Sequence, residues 1–132
     1  MDRYHEYNFF GLERTNISSS KALSAGKHVI KYEFVFDGGK PGAGGKCILY
    51  ADGQKVAEGR IPKTQPFSFS GDEGVDVGLD GETAVSNDYK EGDNKFTGKI
   101  KKVTVDTGAS QLSAADEKAI EEMNEEIAAA VE

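Results

Sequence analysis

The chain has 132 residues, 37% of them hydrophobic and 30% charged, with a mean hydropathy of −0.53, which describes one hydrated globular domain and not a disordered chain. A formal charge of −7 sets the chain against phosphate backbones and anionic headgroups, so nucleic acid is not an expected partner. No apolar run approaches the ~18–20 residues that span a bilayer, and no membrane partner is expected.

Sixteen glycines, seven Phe, five Tyr and no Trp are the texture of short strands joined by many turns. From Phe9 to Ile17 apolar and polar residues interleave, which predicts a first strand ended by Ser18 to Ser20. In Lys27 to Phe36, the residues His28, Ile30, Tyr32, Phe34 and Phe36 alternate with Val29, Lys31, Glu33 and Val35. That period of two predicts a strand with Ile30, Tyr32, Phe34 and Phe36, or their alternates, turned to the core. A glycine-rich loop over Gly38 to Gly45 follows, then a strand over Cys47 to Ala51, an Asp52-Gly53 hairpin turn and a return strand over Lys55 to Ile61. Pro66 to Ser70 alternates again, and Thr97 to Asp106 predicts a last strand after a polar, glycine-spaced segment from Gly71 to Asn94.

Six or seven short strands without helical crossovers favour an all-β fold, an antiparallel β-sandwich or jelly roll, over residues 1–108. Over residues 109–132 the period changes. Ile120, Met123, Ile127 and Val131 form one helical stripe opposite Glu121, Glu122, Glu125 and Glu126, and Ser113 with Asp116 makes a capping box. This predicts a C-terminal amphipathic α-helix from Leu112 to Val131, packed on the sandwich or on a neighbouring domain.

Chemistry-bearing motifs are sparse. Gly39 to Cys47 imitates a phosphate-binding loop, yet the first required glycine falls at Lys40, the metal-binding hydroxyl at Cys47, and a strand follows where a helix N-terminus is needed. The two histidines, His5 and His28, lie in no nucleophile-elbow context, and one cysteine with two separated histidines has no zinc spacing. His28, at a strand start, reads as structural. The run Lys95, Lys99, Lys101 and Lys102 reads as the solvated face of a strand. Asp72, Asp76 and Asp80 lie in a glycine-spaced acidic loop that could offer oxygen ligands to Ca²⁺, but their spacing is not that of an EF-hand. The preferred expectation is a loop ordered by turns and side-chain-to-backbone bonds, with no metal and no cofactor. The lone Cys47 excludes an intrachain disulfide and leaves the compartment open, while the first residues lack a signal peptide's apolar segment.

Five stretches carry a family resemblance: Asn8 to Thr15, AGKHVIKYEFVFDGGKPGAGG from Ala25, ADGQKVAEGRI from Ala51, FSFSGDEGVDVG from Phe67 and KFTGKIKKVTVD from Lys95. Together they resemble the region downstream of the catalytic domain in large bacterial arylsulfatases of the alkaline-phosphatase superfamily. The resemblance spans about Phe9 to Asp106, and the acidic end after Leu112 is similar too. It implies a non-catalytic accessory domain whose partner is a sulfatase catalytic domain. Sulfatase chemistry in that family needs a formylglycine made within CxPxR or CxAxR beside a carboxylate-held metal. Cys47 is followed by Ile48, Leu49, Tyr50 and Ala51, so neither motif is carried over and no catalysis is expected of this chain. The alternative expectation is a lectin-like sandwich that binds a glycan by stacking Tyr32, Tyr50 or Tyr89 on sugar rings.

Overall fold

The computed structural model describes residues 4–67, 74–81 and 83–130. They form two antiparallel sheets, of two and three strands, and one C-terminal helix.

The expected first strand is in fact a hairpin, β1 (Tyr4–Phe9) against β2 (Glu13–Ser18). Phe10 and Gly11 both take positive φ between the strands, and the Gly11 amide donates to the Asn8 side chain at 2.6 Å. Such a turn is hidden in the sequence because Phe rarely adopts that region. β3 (Ile30–Phe36) starts three residues later than expected. It pairs with β4 (Ala43–Ala51), which pairs in turn with β5 (Gln54–Lys63). Asp52 (φ 51°) and Gly53 (φ 81°) make the predicted turn, since two consecutive positive φ values match the twist of a tight hairpin.

β4 absorbs the last three of the eight residues of the expected glycine loop. Gly45 must be bare because a Cβ there would lie 2.5 Å from the Phe34 ring and 2.6 Å from the Val35 carbonyl.

The core sits between the sheets and centres on β4, where Cys47, Leu49 and Ala51 alternate as buried residues. Ile17 of β2 and Ile61 of β5 close over them. β2 lies against β5, with the Ile17 side chain over Gly59, and His5 of β1 stacks on Tyr32 of β3 at 4.2 Å. The Tyr7 hydroxyl accepts the Gln65 amide at 2.7 Å and so ties the hairpin to the segment leaving β5. The predicted face of β3 does turn inward, with Tyr32 and Phe34 opposite Leu49 and Cys47, but none of Ile30, Tyr32, Phe34 and Phe36, nor their alternates, joins the core. Tyr32 and Phe34 retain 41% and 36% exposure because β3 is an edge strand, with a neighbour on one side only among the described residues.

Two expected strands require correction. Pro66 and Phe67 are not in a strand, and Ser68 to Ser70 lie outside the described residues. Thr97 to Asp106 makes no strand either: it has no ladder partner among the described residues, and Ile100, Val103 and Val105 are exposed. Alternation supplies β propensity, but a strand exists only where a second strand accepts its hydrogen bonds.

The helix, α1 (Ala114–Ala130), starts at the predicted box. The Ser113 hydroxyl accepts the Asp116 amide at 3.1 Å and donates to the Asp116 carboxylate at 2.8 Å. No residue of α1 is buried, and it forms no extensive contact with a strand.

Candidate functional site

The segment after β5 is anchored to the β1–β2 hairpin and forms an open hollow of about 620 Å³, lined by Asp76, Asp80, Thr83, Tyr89, Asn94 and Phe96 among others. Asp80 organises it. Its carboxylate accepts the Tyr89 hydroxyl at 2.5 Å and the Val85 amide at 3.3 Å, while its own amide and carbonyl bond the two ends of the Asn94 side chain, at 2.7 and 2.9 Å. Burial first, then the bond to Asp80, holds the Tyr89 hydroxyl above its usual pKa, so it stays a donor to the carboxylate. The Val85 carbonyl accepts Asn8 Nδ2 at 3.1 Å and Arg14 at 2.9 Å, which anchors the loop to the hairpin.

The expected acidic trio is divided. Asp76 accepts the Gly81 amide at 3.0 Å, Asp80 is committed as above, and Asp72 lies outside the described residues. Asp76 and Asp80 thus bond different donors, as side chains that brace a turn do. Among the described residues, no group of three His, Cys, Asp or Glu side chains is set to hold a metal. Asn94 and Phe96 were missed by sequence reasoning. The only signal for Asn94 is its amide's capacity to bond a backbone donor and acceptor at once, which composition does not reveal.

The three tyrosines are not brought together. Tyr32 lies on the inner face of its sheet, its hydroxyl 3.1 Å from the Cys47 sulfur. Tyr50 is on the opposite face beneath the Lys31 ammonium at 5.0 Å, and Tyr89 is in the loop. Burial, then the Cys47 contact, pushes the Tyr32 hydroxyl well above its ordinary range. Burial likewise raises the Cys47 thiol, which keeps the fully enclosed sulfur protonated rather than nucleophilic.

The fold also gathers Ser24, His28 and Asp52, the residue types of a hydrolytic triad. His28 Nδ1 lies 2.7 Å from the Asp52 carboxylate, but Nε2 lies 2.8 Å from the Ser24 carbonyl and 3.4 Å from the Ser24 hydroxyl. Nε2 is directed at the Ser24 backbone carbonyl and is farther from the hydroxyl, so the close nucleophile-to-base bond of a hydrolytic triad is not formed. The trio works as a clamp: Asp52 also accepts the Val29 amide at 2.9 Å, pinning the start of β3 to the β4–β5 turn. This agrees with the structural role expected of His28.

Neither protein-family models, nor curated proteins, nor solved structures contain a match to this chain.

Proposed function

We propose that this chain is a non-catalytic accessory domain of an arylsulfatase-type sulfuric ester hydrolase, packing on the catalytic domain of its parent. The observation that carries the reading is the segment KFTGKIKKVTVD, one of the five stretches that carry the resemblance. It has strand-type sequence yet lies exposed at Ile100 (45%), Val103 (57%) and Val105 (82%), without a ladder partner among the described residues. Apolar side chains exposed along a segment without a ladder partner mark a surface made to be covered. The stripe of Ile120, Met123 and Ile127 on α1, which no strand covers extensively, supports the same reading. On this reading the two sheets are the facing layers of a β-sandwich, supported by the Ile17–Gly59 and His5–Tyr32 contacts. The test is the reading frame upstream of Met1 in the parent gene. A CxPxR or CxAxR motif there is the expected result, and a frame without either removes the reading. The purified chain is expected to leave an aryl sulfate chromogen uncleaved with any added divalent metal; turnover above background refutes the assignment of chemistry to another domain.

The hollow favours a second reading, a glycan-binding module, because Tyr89 and Phe96 beside Asp76, Asp80 and Asn94 combine ring faces with hydrogen-bonding groups. Titration with neutral and sulfated oligosaccharides is then expected to shift the amide resonances of Gly78, Thr83 and Asn94. Unchanged spectra at millimolar sugar eliminate that reading.

A further inference from the structure

β3 is bonded to β4 along one side, and among the described residues nothing pairs with its other side. The ladder fixes which groups point outward. The Val29 carbonyl accepts the Asp52 amide at 2.8 Å and the Asp37 amide donates to the Gly44 carbonyl at 2.9 Å, so odd-numbered residues face β4. Alternation then turns the N–H and C=O groups of Ile30, Tyr32, Phe34 and Phe36 toward the open edge.

Of the usual protections, that edge carries only the charges of Lys31 and Glu33. It has no proline and no bulge, and Val29, Ile30, Tyr32, Phe34 and Val35 are all substantially exposed along it. The opposite edge of the same sheet, β5, is guarded by Lys55, Pro62 and Lys63. It also has a register shift, in which Leu49 faces Ala57 and Tyr50 faces Lys55, leaving Val56 unopposed.

The charges on β3 choose the occupant. Lys31 and Glu33 are its only ionised residues, two positions apart on the outer face, and in the single chain they pair with each other at 2.9 Å, so both exchange that partner for one across the seam. When a second copy is laid antiparallel with Tyr32 opposite Tyr32, Lys31 falls opposite Glu33 of the other copy, and Glu33 opposite its Lys31. Ile30 then meets Phe34 on the inner face. In this register every outward-pointing residue meets another outward-pointing one, as hydrogen-bonded pairs require. Sliding by one residue breaks that match, and centring on Glu33 sets the two carboxylates against each other.

We propose that β3 is a dimerisation strand, through which two copies of this chain join edge to edge into one continuous sheet with Tyr32 on the two-fold axis. This proposal does not rest on the sulfatase reading. Sedimentation velocity of the chain up to ~100 µM is expected to show a concentration-dependent dimer. Glu33→Lys, which places like charges at both cross-strand pairs, is expected to weaken it by about tenfold or more. The swap Lys31→Glu with Glu33→Lys is expected to restore it, because it rebuilds both pairs. Lys31 is exposed and Glu33 partly so, and circular dichroism checks the fold of each variant; Lys31→Glu alone serves if Glu33→Lys does not fold. In the dimer the Tyr32 and Phe34 amide hydrogens are expected to exchange more slowly than in dilute monomer. A monomer at every concentration overturns the proposal, and slow exchange at Tyr32 and Phe34 in that monomer assigns the edge to another segment of the same chain. A dimer indifferent to both charge variants, or with unprotected Tyr32 and Phe34 amides, also overturns it.

Discussion

At the scale of single residues, the central strand depends on what it lacks. Gly44 of β4 is buried, and an added Cβ would sit 2.5 Å from the Pro62 carbonyl oxygen, with the Ile61 carbonyl closer still. These are backbone atoms of a paired strand and cannot step aside. Gly44→Ala is therefore expected to destabilise the chain by ~1–3 kcal/mol, read as a lower urea midpoint, as overpacking does. His5 gives a signed pH dependence. Burial lowers its pKa, the neighbouring Glu6 opposing that only in part, and Nε2 is enclosed without a hydrogen-bond partner among the described residues. The unfolded chain then takes up the proton first as pH falls below ~6.5. The stability that neutral His5 supports is complete above that pH and is lost toward the lower folded-state value. His5→Phe, which keeps a ring against Tyr32, is expected to flatten the change in melting temperature between pH 7 and pH 5. An unaltered slope would place the effect elsewhere.

At the scale of elements, the position of a strand in its sheet outweighs its own sequence. Phe34 is larger than Leu49, but it lies on edge strand β3 with 36% of its surface exposed, while Leu49 of β4 retains 4%. Leu49→Ala is expected to cost ~2–5 kcal/mol. Phe34→Ala, at first sight the more damaging change, should cost less than Leu49→Ala because much of its ring already meets water. Chemical denaturation of the two variants tests the order, and a larger loss for Phe34 would mean that its edge is covered in solution. The loop over 74–96 holds its shape through Asp76, Asp80 and Asn94 bonded to backbone groups. Millimolar Ca²⁺ is accordingly expected to move the melting temperature by less than ~1 °C. Occupancy at a hundredfold excess over a dissociation constant would add ~2.7 kcal/mol, several degrees for a chain of this size.

At the scale of the whole molecule, charge and core are separated. Beyond Leu112 lie seven of the 23 acidic residues and one of the 16 basic ones, so almost all of the net −7 belongs to the C-terminal helical region. The sheets are close to neutral, their outer face laced by Lys46–Glu58, Lys55–Glu58 and Arg60–Asp37 pairs. Because α1 buries no residue, truncation after Gly108 is expected to shift the melting temperature by no more than ~3 °C. The same truncation should reduce solubility near pH 7, since it leaves a body with little net charge and an open strand edge. A large fall in melting temperature would show that α1 packs on the sheets in solution.

The sequence by itself determined features that need no distant partner. The Asp52-Gly53 turn follows from two residues that tolerate positive φ. The start of α1 follows from Ser113 and Asp116 on adjacent backbone, and the inward face of β3 follows from its period of two. Tertiary structure decided the rest. That Phe10 would take a left-handed turn and split the first strand, and that the core would centre on β4 and leave β3 at an edge, depended on contacts distant in sequence. Thr97 to Asp106 has the alternation of a strand and lacks a ladder partner among the described residues. In the candidate site, the acidic loop was visible as composition, but its organising contacts join Asp80 to Asn94 across fourteen positions and Val85 to Arg14 across seventy-one. Local sequence sets what each backbone segment can do at small energetic cost. Which segments meet is set by burial and by satisfaction of hydrogen bonds over the whole chain, and no window of sequence contains those.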